Sequence, residues 1–453
     1  MSNGTPVSYR RSYAGPIVLI GLGVIFLLGN IGVLTWRSLG LFFARYWPLF
    51  IILWGAIKLA EYYQAQREGV RARGIGVGGF FLLFFIIIFG LAASQSANVN
   101  WGAIGDEIQI NDDFPLLGNT YNYSDQLQQP FPAGGSLKIA SDRGDVTINA
   151  WDENSIKISV NKKVVSGDEE ESKKVDAATK PTITVDGNVV TVNANTTTSG
   201  HHGISTDLEI FVPRKAAADV ALKHGEITIR DRAGALKIST AHGDVTLQNI
   251  EGNADVSLRS GNFRAEHIKG DVLVDGRLED SNITDVNGSV KMTGDFFGTT
   301  TMAKITKTVI FKSSRTDLEM ASLAGEMNLD SGDLRATGAA GPFRLSTRSK
   351  DVHLENISGD VRVENSNGSV EIHPNSLGNI LVDNRKGDVQ LVIPAEASFN
   401  VQAHSRRGEA QSDFSQLKVE NSNEDGKISG TVGKGGPSVQ IDNDRGSIEI
   451  RKG

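Results

Sequence analysis

Glycine recurs every 18 residues at Gly225, Gly243 and Gly261, and a second column, Gly234, Gly252, Gly270 and Gly288, keeps the same period. In register, the first column reads His224-Gly225-Glu226-Ile227-Thr228-Ile229, His242-Gly243-Asp244-Val245-Thr246-Leu247 and Ser260-Gly261-Asn262-Phe263-Arg264-Ala265. Between the columns lie alternating apolar pairs, Leu236/Ile238, Val256/Leu258 and Val272/Val274. Alternation buries one face of a strand, and a short fixed period means stacked units that touch only their neighbours. The pattern predicts an all-β solenoid, a right-handed single-stranded β-helix of about 18 residues per coil, with two or three short strands and glycine at the corners.

The period loosens elsewhere without vanishing. Upstream it begins at Gly144, in Asp142-Arg143-Gly144-Asp145. Downstream one column holds Gly325, Gly341, Gly359 and Gly378, and the other holds Gly332, Gly368 and Gly387, with Lys350 where a glycine is due. Residues 289–324, around Phe296-Phe297, fit worst and predict an insertion or bend. Val439-Gln440-Ile441 and Ser447-Ile448-Glu449-Ile450 predict one further strand pair. About ten coils at ~4.8 Å give a rod of roughly 50 Å. Its ends need caps, because a bare ladder recruits another chain. The solenoid is expected over 133–453, with an exposed excursion at Ser166–Lys180 and a polar loop at Asn195–Thr206.

At 453 residues the chain exceeds one ordinary domain, and its first hundred residues read differently from the rest. Three apolar runs, about 16–34, 46–62 and 75–93, predict three transmembrane helices within a region at 14–94. Trp47, Tyr62 and Tyr63 suit the interfaces of the second, which is short enough to form a re-entrant hairpin instead. No small-x-small cleavage site follows Leu34, so an uncleaved anchor is expected. With residues 1–13 in the cytoplasm, Arg10, Arg11, Lys58, Arg67, Arg71 and Arg73 lie inside, and only Arg37 and Arg45 lie outside. Basic flanks stay cytoplasmic, so an odd number of spans sends everything after Ala93 outside. The expected location is the cytoplasmic membrane, multi-pass, with the C-terminal domain extracytoplasmic. Asn98 to Pro132 is polar, and 95–132 is expected as a tether that begins to order near the solenoid.

Two resemblances sharpen this. Gly15-Pro16-Ile17-Val18-Leu19-Ile20-Gly21-Leu22-Gly23-Val24 and Trp47-Pro48-Leu49-Phe50-Ile51-Ile52 resemble the transmembrane region of Lia-type bacterial envelope-stress proteins, over roughly residues 14 to 62. The resemblance implies a bacterial membrane setting and a link to stress signalling, and it brings no site residues. The corners Ala241-His242-Gly243-Asp244-Val245 and Ile357-Ser358-Gly359-Asp360-Val361, with the strand ends Phe211-Val212-Pro213 and Val392-Ile393-Pro394, resemble the putative-adhesin β-strand-repeat family, a bacterial domain of unknown function. That family implies a β-solenoid behind a membrane anchor and no catalytic residues.

The chemistry-bearing residues point the same way. The absence of cysteine excludes a disulfide framework, a thiol nucleophile and a thiolate metal site. A net charge of −7 gives no nucleic-acid footprint. His224 and His242 fall one coil apart and should stack, but the next coil has Ser260 and supplies no third metal ligand. His201-His202 lies in a polar loop. Glycosidase chemistry needs paired carboxylates on one face. The candidates Asp244, Asp333, Asp351, Asp360 and Asp388 instead follow corners, where they satisfy turn backbone. All Trp and Tyr lie at or before Trp151, so the solenoid lacks these stacking platforms for sugars. Arg143, His224, His242, Lys386, Arg407 and Arg445 precede corner glycines as a partly basic stripe, interrupted by Ser260, Ser331 and Asn367.

The sequence therefore predicts no enzyme, cofactor, catalytic or metal site. It predicts an envelope scaffold or interaction module that touches the bilayer and an envelope protein or cell-wall partner, with self-association a further expectation. The competing readings are a surface adhesin or glycan binder, a carbohydrate-active enzyme, and a cytoplasm-facing polymerising or regulatory scaffold.

Overall fold

The computed structural model describes Tyr63 and residues 119–196, 203–423 and 425–453. The expected spans at 16–34, 46–62 and 75–93 and the His201-His202 pair lie outside the described residues. Among the described residues no helix is long and apolar enough to cross a membrane. The chain divides into two compact units, Met1–Phe114 and Pro115–Gly453. Among the described residues, every strand belongs to the second unit.

Each coil contributes two strands, one to each of two facing walls. Ala217–His224, Leu236–His242, Ala254–Leu258, Val272–Leu278 and Val290–Phe296 pair in parallel along the first wall. Ile227–Arg230, Val245–Glu251, Phe263–Lys269, Ser281–Val286 and Thr300–Ile305 do so along the second. The pairing offset is the 18-residue period, as in Val245 opposite Phe263. Alternate side chains such as Ile238, Leu247, Val256 and Phe263 point between the walls and are fully buried. Corner glycines let successive rungs approach. At Gly243, φ is +131° and an added Cβ would lie well inside 3.0 Å of the Gly225 carbonyl, so both conformation and space require glycine.

Residues 289–324, expected to hold an insertion or bend, hold a reversal of chain direction. Val309–Lys312 turns back into antiparallel Thr316–Met320. Ser322–Leu329 then runs antiparallel to Thr300–Ile305, and Asp333–Ala340 turns again against Ser322–Leu329. One coil is thus inverted between two parallel stacks. Two short turns make this possible. Ser313 Oγ accepts from Thr316 N at 3.1 Å, and Asp330 Oδ1 accepts from Gly332 N at 2.8 Å and Asp333 N at 2.7 Å, the side-chain-to-backbone capture that favours Ser and Asp in turns. Gly332 is therefore a hairpin-turn residue, and Gly325 lies inside Ser322–Leu329, where an added Cβ would meet the Thr337 carbonyl. Neither is a corner of a parallel coil. Parallel stacking resumes with Asp333–Ala340 and Phe343–Thr347 against Asp351–Asn365.

Both ends are interleaved. The coil made by Ser136–Arg143 and Val146–Trp151 sits between the Ala217–Arg230 coil and the later strands Val189–Asn193 and Gly203–Pro213. At the other end, Ser438–Asn443 and Ile448–Lys452 slot between Val370–Asn384 with Val389–Ile393 and the earlier strands Phe399–Ser405 and Ala410–Ser412. The last strand pair is thus an internal rung and not a terminus. Antiparallel hairpins close both tips. At one tip, Asp425–Val432 pairs with Phe399–Ser405 and Lys418–Ser422 covers it. The Asn421 amide donates to the Ala410 carbonyl at 3.0 Å and accepts from Ala410 N at 2.8 Å, so a side chain ends the ladder. With these additional rungs, about sixteen spacings along the first wall give a rod of roughly 75 Å, longer than the sequence suggested.

Two further segments gain definite secondary structure. The last third of the expected tether is the strand Asn119–Pro130, antiparallel to Ser155–Ser166. Its partly buried positions are Tyr121, Tyr123, Asp125 and Leu127, a mostly polar alternation that hides a strand. Most of Ser166–Lys180 is the helix Glu169–Ala178. The Asp168 side chain caps its start by accepting from Glu171 N at 2.7 Å. The buried Lys162 ammonium reaches the helix end through Asp176 and the Thr179 carbonyl, each at 2.9 Å.

Candidate functional site

The corner carboxylates are ladder elements. Asp145 Oδ1 accepts from Glu226 N, Asp244 Oδ1 from Asn262 N, Asp360 Oδ1 from Asn379 N and Asp388 Oδ1 from Ser447 N, each at 2.8 Å. Asp351 Oδ1 accepts from Ser369 N at 2.7 Å, and this bond with the Ser369 hydroxyl pulls its pKa down. Each carboxylate thus ties its own rung to the next. Asp333 does not, since its side chain faces Arg335 at 3.6 Å. Glu226 lies between Asp145 and Asp244, and partial burial, then the two neighbouring charges, raises its pKa.

The remaining glycines of the period sort by column. Gly144, Gly225, Gly243 and Gly261 stack in one, and Gly234, Gly252, Gly270 and Gly288 in the second. Gly368 stacks over the Lys350 carbonyl and Gly387 over Gly368. Gly341, Gly359 and Gly378 mark the crossing from wall to wall in the second half. Gly446 and Gly408, the corner glycines that follow Arg445 and Arg407, continue the Gly387 column because the interleaved strands place them there. Gly276 and Gly294, also missed, stack within the strands of the first wall. Beneath the extended column the buried Asn384 and Asn443 both donate to the Gly387 carbonyl, at 3.1 and 2.9 Å.

His224 and His242 stack with ring centroids 5.0 Å apart and planes 5° from parallel. A second imidazole pair lay unnoticed in the sequence. His353 Nδ1 lies 3.0 Å from Glu371 Oε2, and His373 Nε2 lies 2.8 Å from Glu371 Oε1. The offset from His353 to Glu371 is one 18-residue period, so the register could have found it. Burial pushes the Glu371 pKa up, but the His353 hydrogen bond and the charge and hydrogen bond of His373 outweigh it, and the net direction is down. Among the described residues no group of three metal-ligating side chains forms. The basic stripe splits in two, with Arg143, His224 and His242 on successive rungs at one end and Lys386, Arg445 and Arg407 at the other.

What faces outward is surface. Thr147, Thr228, Thr246, Arg264, Asn282 and Thr301 form one in-register row on the second wall. Lys138, Asp219, Lys237 and Asp255 alternate in charge on the first. Beside them runs an open trough of about 760 Å³, with Ala221, Ser239 and Ser257 as its floor and Lys223 and Arg259 on its rim. Residues 135–451 match the family described as Toastrack DUF4097. The chain belongs to the Toastrack DUF4097 family.

Ahead of the toastrack domain, residues 14–105 match the LiaF transmembrane domain. The chain is thus a membrane-associated, envelope-related module with an all-β toastrack domain. No protein with a curated description matches it. Among solved structures, it is similar to a "putative cell adhesion protein" from Clostridium sporogenes at 11% identity, covering 73% of this chain and 100% of that one, with a TM-score of 0.18. A "putative adhesin" from Bacteroides fragilis aligns at 8% identity over 73% and 97% of the two chains, with a TM-score of 0.17. A "putative adhesin" from Parabacteroides distasonis aligns at 11% identity over 73% and 97%, with a TM-score of 0.19.

Proposed function

We propose that this chain is a non-enzymatic, multi-pass anchored scaffold of the cytoplasmic membrane, whose toastrack domain binds envelope partners outside the cytoplasm during envelope-stress sensing. The observation that carries the reading is the division of labour among polar side chains. Corner carboxylates are spent on backbone N–H groups of the next rung, while the outward rows are regular, polar and laid out along the rod. Such a surface offers many weak, repeated contacts to a protein or cell-wall partner, and it does not gather an acid and a base around one substrate bond. The six-to-two bias of basic flanks supports the extracytoplasmic placement. The match to the LiaF transmembrane domain supports the anchor and the link to stress signalling.

A photo-crosslinking residue at Thr246, in the outward row, tests the reading in intact membranes. The expected result is a discrete adduct with an envelope component, lost when the crosslinker is moved to the buried Val245. Failure at Thr228, Thr246 and Asn282 alike would contradict it, as would turnover of a polysaccharide by the purified chain.

A further inference from the structure

The inverted coil borders a cavity of its own. It measures about 270 Å³ and lies where both hairpin turns, the ring of Phe297 and the side chain of Lys350 meet. Lys350 stands in a column otherwise kept by glycine, over the Asp330–Asp333 turn instead of over another corner. Only 7% of the residue is exposed, yet among the described residues its ammonium finds a single acceptor, the Asp330 carbonyl. An ammonium has three donors, so two N–H bonds of this half-buried charge face the cavity with no acceptor among the described residues, and a ligand or solvent must supply them. The Asp330 carboxylate does not, because it is held by the backbone N–H groups of Gly332 and Asp333.

The rest of the cavity suits a ligand with two unlike ends. Phe296 packs on Phe311 with centroids 4.4 Å apart and forms its apolar back. Phe297 is 62% exposed at its mouth, with the Arg277 guanidinium 5.3 Å from the ring centroid. Arg315 borders the opening with no ion pair among the described residues, Asp295 lies at the rim, and the Asp333 carboxylate also acts on the Lys350 charge. Departures from a fold's own rules concentrate at functional positions. Here an inverted rung, a lysine in a glycine column and an exposed phenylalanine coincide.

We propose that this cavity binds a monosaccharide-sized oxyanion, a carboxylate or phosphate monoester, whose charged oxygens take the two open donors of Lys350 with help from Arg315, and whose ring lies on Phe297. The volume falls just below the usual range for small-molecule sites, which favours one ring over an oligomer. The inference rests on this cavity alone and stands whether or not the outward rows bind an envelope partner.

Calorimetric titration of the full-length protein in detergent tests it, with glucuronate, glucose 6-phosphate, glucose and inorganic phosphate as probes. Saturable binding of glucuronate or glucose 6-phosphate, with none of glucose, is expected, and the tighter of the two identifies the oxyanion. Lys350→Met should weaken that binding at least tenfold. Phe297→Ala, at an exposed ring whose loss leaves the core intact, should weaken it at least threefold without moving the melting temperature. Inorganic phosphate binding as tightly as glucose 6-phosphate would mean an adventitious ion only and overturn the proposal. So would the absence of saturation with either charged sugar, or wild-type affinity in Phe297→Ala. That last variant keeps the test decisive should Lys350→Met fail to fold.

Discussion

Gly243→Ala separates the two reasons for glycine at a corner. The substitution forces alanine to φ +131° and drives its Cβ into the Gly225 carbonyl. Gly134→Ala makes the paired control, because Gly134 also has positive φ, at +68°, but nothing within 4 Å of an added Cβ. The control should cost about 1–2 kcal/mol, the ordinary penalty of left-handed backbone for an L-residue. Gly243→Ala carries at least that strain, because φ +131° lies beyond the left-handed well an L-residue can occupy, and adds a rung displacement of about 1–3 kcal/mol, as for overpacking. Because a solenoid's stability is a sum over neighbouring rungs, a single melting temperature would blur the effect. Hydrogen exchange of peptides across 225–262 reads it locally. At 1.4 kcal/mol per tenfold, the variant should exchange roughly five- to hundred-fold faster there than Gly134→Ala does around its own site. Equal effects in the two variants would refute the claim that close rung contact, and not conformation alone, selects these glycines.

Removing the Asp244 acceptor leaves Asn262 N unpaired, so Asp244→Ala should lose about 1–3 kcal/mol locally, whereas Asp244→Asn keeps an acceptor and should lose far less; exchange at Asn262 distinguishes them. Glu226 is an acid whose folded pKa is raised, so its ionised form is the one disfavoured in the fold. Glu226→Gln should therefore melt higher than wild type at neutral pH, with the difference shrinking as pH falls through the raised value and gone below the ordinary 4.5; a constant difference across that window would contradict the cause. Asn421→Ala uncovers the edge at Ala410, and sedimentation velocity should then show concentration-dependent association absent from wild type. The buried Arg232 donates to the carbonyls of Val212 at 3.2 Å and Pro213 at 3.0 Å, and to that of Ala216. Burial lowers its pKa to about 10. Arg232→Met should destabilise the crossover by about 3 kcal/mol, since carbonyls satisfied by a charged donor lose it, read as faster exchange at 212–218.

The sequence carried the repeat and its core because both obey a fixed offset: alternation set the buried face, and the 18-residue step set the partner. The same step connects His353 to Glu371, so that contact was legible and overlooked. The hairpins at Ser313–Thr316 and Asp330–Asp333 and the cap at Asp168 were also written in local turn and cap chemistry, which a search for one period passes over. The interleaved ends were not legible. Gly387 has the same corner chemistry to offer Gly408 as Gly446, and only closure of the tip by the Lys418–Val432 hairpin decides between them. The Lys350 cavity was out of reach for a related reason. It depends on one rung running backwards, and a lysine in a glycine column reads in sequence only as an irregularity.

The most direct measurement is of where the rod lies. Alkaline phosphatase or green fluorescent protein fused after Gly453, compared at equal expression, reports the side of the membrane on which the toastrack domain ends. An extracytoplasmic scaffold predicts an active phosphatase fusion and a dark fluorescent one. A bright fluorescent fusion with an inactive phosphatase would place the domain in the cytoplasm and contradict the account.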